Sequence, residues 1–502
     1  MFARNAAKRF FLFLGGGRRA HELARHFQIR SRRGAAEHET GSASNRRHIS
    51  RGPRRAGCVR MPRSKIQSPP EPAPGKSNVV GPSKPRLFEV LGPGLITGAA
   101  DDDPSGIATY AQAGAQFGYQ LSWTLVLTYP LMVSIQAISA RIGRTTGRGI
   151  AANLLRAYPS WLVHLTVVML FIANICNIGA DLGAMAEASR LLMPTIPVWF
   201  YLLAFSAVCA AGQIFLHHTR YVSVLKWLTL SLLAYFATLM VVHVPWAEFL
   251  KGLILPQLSA GREFWLTVVA VLGTTISPYL FFWQAAQEVE DTKTVPIREP
   301  LLRRPSQGPN ALARIRLDTL IGMGLSNLVA LAILGTAAAT LHANGITEIS
   351  SAAQAAQALR PIAGSFASAL FALGIVGTGL LSVPVLAGSA AYALGETRRW
   401  PVGLSHDPHK AKAFYGAIAA ATLVGAAINI FKISPVKALI WAAALNAIVA
   451  GPVMVLVMKL ATNKAIMGQF KISGRLAVFG WLATGVMVLT SLVFLISLGG
   501  SS

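Results

Sequence analysis

A chain of 502 residues that is 53% hydrophobic, only 13% charged and of mean hydropathy +0.49 is too apolar for a soluble globule and reads as a polytopic membrane protein. Its net charge of +26 points to nucleic acid only until the distribution is read: residues 1–86 hold 20 Lys and Arg against four Glu, which is +16 of the total. The remainder is spread over loops, so a bilayer is the expected partner and nucleic acid is not.

Residues 1–86 are rich in Arg, Ser, Gly and Pro, cannot bury a core, and are expected to form a disordered basic segment ahead of a transmembrane domain at 87–502. Phe10–Leu14 is too short for a signal-peptide core, and an Arg-rich transit peptide is the alternative reading of this segment. Met61 is a second candidate start, which leaves open whether residues 1–60 are translated.

From Leu87 onward, apolar runs of spanning length alternate with short charged loops. They fall near 87–118, 121–141, 161–189, 197–215, 221–244, 264–287, 317–341, 364–394, 413–431, 436–458 and 476–498, eleven in all. Gaps after even-numbered spans hold 20 basic residues with their flanks, against 6 after odd-numbered ones. The positive-inside rule then places the N-terminus in the cytoplasm and the C-terminus outside, and an inner (plasma) membrane of bacterial type is expected.

Two of these spans are interrupted. In the first, GPGLITGAADDDPSGIATYAQAGAQFG carries Asp101, Asp102 and Asp103 followed by Pro104. One Asp at the centre of a lipid-embedded helix costs roughly 2.5 to 3.5 kcal/mol, so three adjacent ones must face protein, water or a cation. Proline removes a backbone donor and Ser105 and Gly106 propagate helices poorly, so the helix is expected to unwind and expose carbonyls beside the carboxylates. Five spans later, LGTTISPYLFFWQAAQEVED breaks at Pro278. Matching breaks in spans 1 and 6, which cross in opposite directions, predict that spans 1–5 and 6–10 form an inverted repeat with the eleventh appended.

These residues carry a resemblance. The run GPGLITGAADDDPSGIATYAQAGAQFGY, then SARIGRTTGRGIAANLLRAYP, ADLGAMAEA, LDTLIGMGLSNLV and LGIVGTGLLSVPVLAGSAAYALGE, resembles the natural resistance-associated macrophage protein (NRAMP) family of divalent metal transporters over roughly residues 88–498. The resemblance implies an all-α integral membrane protein with a LeuT-type inverted repeat and a metal ion carried as substrate rather than held as a cofactor. The family's helix 1 motif, Asp-Pro-Gly-Asn, reads Asp103-Pro104-Ser105-Gly106 here, so the metal-binding Asp is kept and the Asn amide is lost. The helix 6 motif, Met-Pro-His, reads Ser277-Pro278-Tyr279, without thioether or imidazole. In the third span Asp181 stands where the family has its proton-route Asp, but the Glu three residues later is Ala184. The chain looks like an NRAMP-related branch with an altered site.

Read chemically, the donors are carboxylates, hydroxyls and carbonyls, with no Met, Cys or His beside either break, a set that suits hard cations such as Mg2+ or Mn2+. The expected metal residues are Asp103 and, as the resemblance implies, the positions of Gly106 and Ser277 and the carbonyls of Ala100 and Thr274. Asp101, Asp102, Ser105, Thr275 and Tyr279 are expected to line a vestibule or hold bound waters. Asn174, Asn177 and Asp181 recur at i, i+3, i+7 and form a polar stripe, read either as a solvent path or as interhelical hydrogen bonding. Glu288, Glu290 and Asp291 read as a solvated helix terminus near Arg314 and Arg316.

The expected function is import of divalent metal ions, Mn2+ or Mg2+ favoured, by alternating access with little proton movement. The alternatives are a proton-coupled Mn2+/Fe2+ symporter and, more remotely, a sodium-coupled organic solute symporter, which three Asp in helix 1 disfavour because they repel a substrate carboxylate. An intramembrane aspartyl protease needs its Asp residues split over two helices, and no Gly-Lys-Ser/Thr phosphate loop is present for ATP-driven transport, so an enzyme is not expected. One copy of the chain suffices for such a site; the oligomeric state is not readable.

Overall fold

Each of the two prolines that interrupt an apolar run starts a helix rather than kinking one, and this sets the architecture. A computed structural model describes residues 93–215, 233–259, 261–295, 297–357, 364, 367–431 and 433–499, all in the second of two units, Val79–Ser502. The expected basic segment 1–86 lies outside the described residues, as does the first half of the expected span 221–244. Among the described residues every regular element is helical.

The first span is two helices, α1 (Pro93–Asp101) and α2 (Pro104–Phe117), and α3 (Ser122–Thr146), the short α4 (Ile150–Ala157), α5 (Ser160–Arg190) and α6 (Val198–Phe215) follow. Next come α7 (Leu233–Val241), α8 (Trp246–Ile254) and the second broken span, α9 (Arg262–Thr275) with α10 (Pro278–Thr294). The chain ends through α11 (Gly308–Thr340), α12 (Ala352–Gln357), α13 (Ala367–Arg398), α14 (Lys412–Ile428), α15 (Pro435–Thr462), α16 (Lys464–Met467) and α17 (Gly474–Gly499). Nine stretches among the described residues are long and apolar enough to cross a membrane. The first span is not one of them, because its break leaves halves of 9 and 14 residues.

Most boundaries lie within a few residues of those expected from hydropathy. The clearest departure is α11, which begins at Gly308 rather than near 317. Pro309 sits in its first turn, where proline is well tolerated, and the added turns carry Arg314 and Arg316, whose charge ends an apolar window before the helix itself ends.

The broken halves pair with each other: α1 packs on α10 and α2 packs on α9, while α11 lies along both α1 and α2. Glycine makes the α1–α11 contact close. A Cβ on Gly98 would strike the Gly322 backbone and one on Gly322 would strike the Gly94 carbonyl, so Gly94 and Gly98, four residues apart, form a small-residue seam against Gly322. The Asp318 carboxylate of α11 accepts the Gly94 amide at 2.8 Å, supplying a partner to one of the first N–H groups of α1.

Candidate metal centre

Asp103 is both a carboxylate at the break and the N-cap of α2, with extended backbone (φ −66°, ψ 171°). Its Oδ1 accepts the Gly106 amide at 2.7 Å and the Ser105 hydroxyl at 2.5 Å, and Pro104 occupies the first turn, where its missing N–H costs nothing. The sequence Asp-Pro-Ser-Gly therefore restarts a helix with its positive end at the carboxylate. Its other oxygen, Oδ2, accepts the Tyr279 hydroxyl at 3.4 Å.

The second break is built differently. Ser277 precedes Pro278 with extended backbone, but its hydroxyl makes no cap; it donates back to the carbonyls of Gly273 (3.0 Å) and Thr274 (2.9 Å). The Thr275 hydroxyl donates to the Val271 carbonyl at 2.5 Å and pairs with the Tyr110 hydroxyl at 3.2 Å. Thr274 Oγ1 is buried with no partner, and a Cβ built on Gly106 would lie 3.3 Å from it, so the two breaks face each other across Gly106. Tyr279 also donates to the Ala100 carbonyl at 2.8 Å, and a Thr97–Gln284 hydrogen bond joins the same pair of helices.

Asp101 and Asp102 turn toward α11, where the Ser326 hydroxyl is shared between Asp101 Oδ2 (2.9 Å) and Asp102 Oδ1 (3.3 Å). The remaining oxygen of each has no partner among the described residues. Asp181 of α5, a helix that packs on α2, accepts Ser382 of α13 at 2.9 Å through Oδ2, and its Oδ1 has no partner among the described residues. All four carboxylates are at most 1% exposed. Among the described residues, no Lys, Arg or His forms an ion pair with any of them.

The breaks thus bring together Asp103, Ala100, Gly106, Thr274, Ser277 and Tyr279, and Asp181 lies on α5, which packs on α2. Gly106 brings an amide and no side-chain donor atom. Asn174 and Asn177 lie elsewhere on α5 and are engaged between helices: Asn174 donates to the Leu386 carbonyl and to Ser389, and Asn177 donates to Asn446. Among the described residues no group of three His, Cys, Asp or Glu side chains is placed to hold a metal ion, so a cation here draws on carbonyls, hydroxyls and water beside the carboxylates.

Sequence reasoning missed Ser326, Ser382 and Asp318. The hydroxyls carry no periodic or spacing signal, since a serine inside an apolar helix usually bonds its own turn. Asp318 was legible as a lone carboxylate at the start of an apolar run.

The sequence profile of the family described as natural resistance-associated macrophage protein-like matches residues 94–497. Curated relatives include the divalent metal cation transporter MntH of Aeromonas hydrophila, 29% identical over 314 residues that cover 61% of this chain and 72% of that protein. The protein of the same name from Klebsiella pneumoniae is 29% identical over 304 residues, covering 59% and 69%. Among solved structures, the manganese transporter of Eremococcus coleocola superposes with a TM-score of 0.66 at 18% identity, over 84% of this chain and 89% of that one, a likeness of fold. A mutant of that same transporter gives the same TM-score and coverage. Breaks, helix pairing and profile agree: the chain belongs to the natural resistance-associated macrophage protein family.

Proposed function

We propose that this chain carries divalent metal cations, Mg2+ or Mn2+ in preference to softer ions, across a bacterial inner membrane by alternating access, with its N-terminus cytoplasmic and its C-terminus outside. One observation carries the reading: four buried carboxylates cluster at and beside a helix break with no cationic partner among the described residues. Uncompensated buried charge is expensive, and a divalent ion is the partner that relieves it. Asp103 supplies the charge to the ion. The carbonyls of Ala100 and Thr274 each already accept one protein hydrogen bond and keep a second lone pair for the metal or its waters. Ser277 offers its oxygen from the facing break. A cytoplasm-negative potential of 100 mV is worth about 4.6 kcal/mol for two charges, at roughly 2.3 per charge, which suffices for uptake without a coupled ion. The relatives are transporters whose metal is cargo, and one copy of the chain contains the whole site.

The test is flux into proteoliposomes with Mg2+, Mn2+, Ca2+ and Cd2+ side by side. Absence of flux for every ion, from protein correctly inserted, refutes the reading.

A second reading, a proton-coupled Mn2+/Fe2+ symporter, is favoured by one feature: Asp181 is a fully buried carboxylate on α5, a helix packed against α2, with one oxygen that has no partner among the described residues. It is distinguished by a pH dye inside the vesicles. Metal-driven acidification supports it, and metal flux at constant internal pH supports potential-driven uptake.

A further inference from the structure

The donor set of the centre contains one group that binds the site to itself. Tyr279, the second residue of α10, is fully buried, and its hydroxyl reaches both the Ala100 carbonyl (2.8 Å) and Asp103 Oδ2 (3.4 Å). Two oxygens of the first break are thus engaged by a single phenol from the second. The ring is packed in the core at the start of a helix, so the hydroxyl stays at the centre unless α10 itself moves.

From this we infer that Tyr279 determines specificity by fixing how much water the cargo keeps, an inference that rests on the function proposed above. An O–H donated to a carbonyl takes one of its two lone pairs and presents a positive hydrogen where a bare cation would close in. The phenol oxygen remains able to accept a hydrogen bond from a metal-bound water. An ion at Asp103 then meets one carboxylate directly and much of the remaining shell through water. That suits Mg2+, which gives up its waters reluctantly, better than Mn2+ or Cd2+, which accept more direct ligation. The second break adds to this bias, because the Ser277 hydroxyl is likewise donated to carbonyls, including that of Thr274.

Tyr279→Phe keeps the ring and removes the donor. In proteoliposomes carrying the full chain, the ratio of half-saturating concentrations for Mg2+ and Mn2+ is expected to move about tenfold toward Mn2+, as expected for one hydrogen bond lost at a charged site. Equal loss of rate for all ions at an unchanged ratio marks a purely structural role and overturns the inference. Should the variant fail to insert, the wild-type chain answers the same question with a single isotope-labelled tyrosine at 279. Its C–O stretch should shift with saturating Mg2+ as for a hydrogen bond gained at the phenol oxygen and should respond differently to Cd2+, whereas the same response to both ions overturns the inference. The outcomes separate cleanly: wild type that carries metal, Asp103→Ala that does not, and an unaltered ratio in Tyr279→Phe refute this inference alone. A wild type that carries no divalent ion refutes the proposed function and this inference with it.

Discussion

Two clusters of acid lie along the broken helices, and the protein treats them in opposite ways. At the C-terminal end of α10, Glu288 and Glu290 are fully buried, against the solvated terminus expected from sequence, and each meets a cation. Arg314 bonds Glu288 at 2.5 Å and lies 3.9 Å from Asp291, Arg298 bonds Asp291 at 2.5 Å, and Lys293 reaches Glu290 at 3.4 Å. At the first break, Asp101, Asp102 and Asp103 receive only hydroxyls and amides. One cluster is neutralised from within, so it holds helices together; the other is left for a charge from outside. Arginine explains the difference: the positive charge that begins α11 lies one helix end away from the acids that end α10 and far along the chain from the break.

The largest expected effect falls on the centre. Asp103→Ala should abolish metal flux while the protein still inserts, because it removes the carboxylate common to both breaks and leaves the Gly106 amide and the Ser105 hydroxyl without their acceptor. Uptake like that of wild type by an inserted mutant would break the comparison outright.

Next in size is Arg314→Ala, which strands Glu288 as a buried unpaired charge. Breaking such a pair costs roughly 3 to 5 kcal/mol, read as a loss of thermal stability in detergent. Adding Glu288→Gln should recover a large part of it. A double variant no better than Arg314→Ala alone would mean that Arg314 acts through packing.

The comparison sharpens when the same change is made in both clusters. Asp102→Asn removes a charge that has no cationic partner, so in metal-free buffer it should raise stability, by about 1 kcal/mol, while lowering metal uptake. Glu288→Gln removes a charge that has one, and should lower stability by a similar or larger amount. Added Mg2+ or Mn2+ at 100 times Kd should stabilise wild type by about 2.7 kcal/mol and the Asp102→Asn protein by less. Two amide variants that shift melting in the same direction would show that the two clusters are not different in kind.

The breaks, and the acids in them, were legible because they violate a strong rule: charge and proline do not belong inside an apolar run. Asp103 stood out for that reason, Tyr279 only through the family motif at the second proline, and the two lie together. What tied them was not legible. The Tyr279 to Ala100 bond joins residues 179 positions apart, and the Ser326 hydroxyl that serves Asp101 and Asp102 comes from a helix more than 200 residues away, with nothing periodic to announce it. The acids that end α10 were misread for a related reason. A hydropathy window scores Glu288 and Arg314 as polar ends of two spans and cannot register that the two side chains cancel each other when α10 and α11 are brought side by side.

The smallest expected effect has the least intuitive sign. Ser326 is the only hydrogen-bond partner that the Asp101 and Asp102 side chains have among the described residues, and Ser326→Ala removes it. Without metal, the two carboxylates lose their one donor, and stability should fall by about 1 kcal/mol. With metal bound, the cation's field already stabilises both acids, so the loss is smaller there. Because the empty state suffers more than the loaded one, the variant should bind metal more tightly, by about fivefold or less for a difference of up to 1 kcal/mol. Titration of Mg2+ or Mn2+ into purified wild type and variant measures it directly. Weaker binding would mean that Ser326 holds the carboxylates in their metal-bound arrangement, and the first cluster would then be prepared by the protein for its guest rather than simply left without a partner.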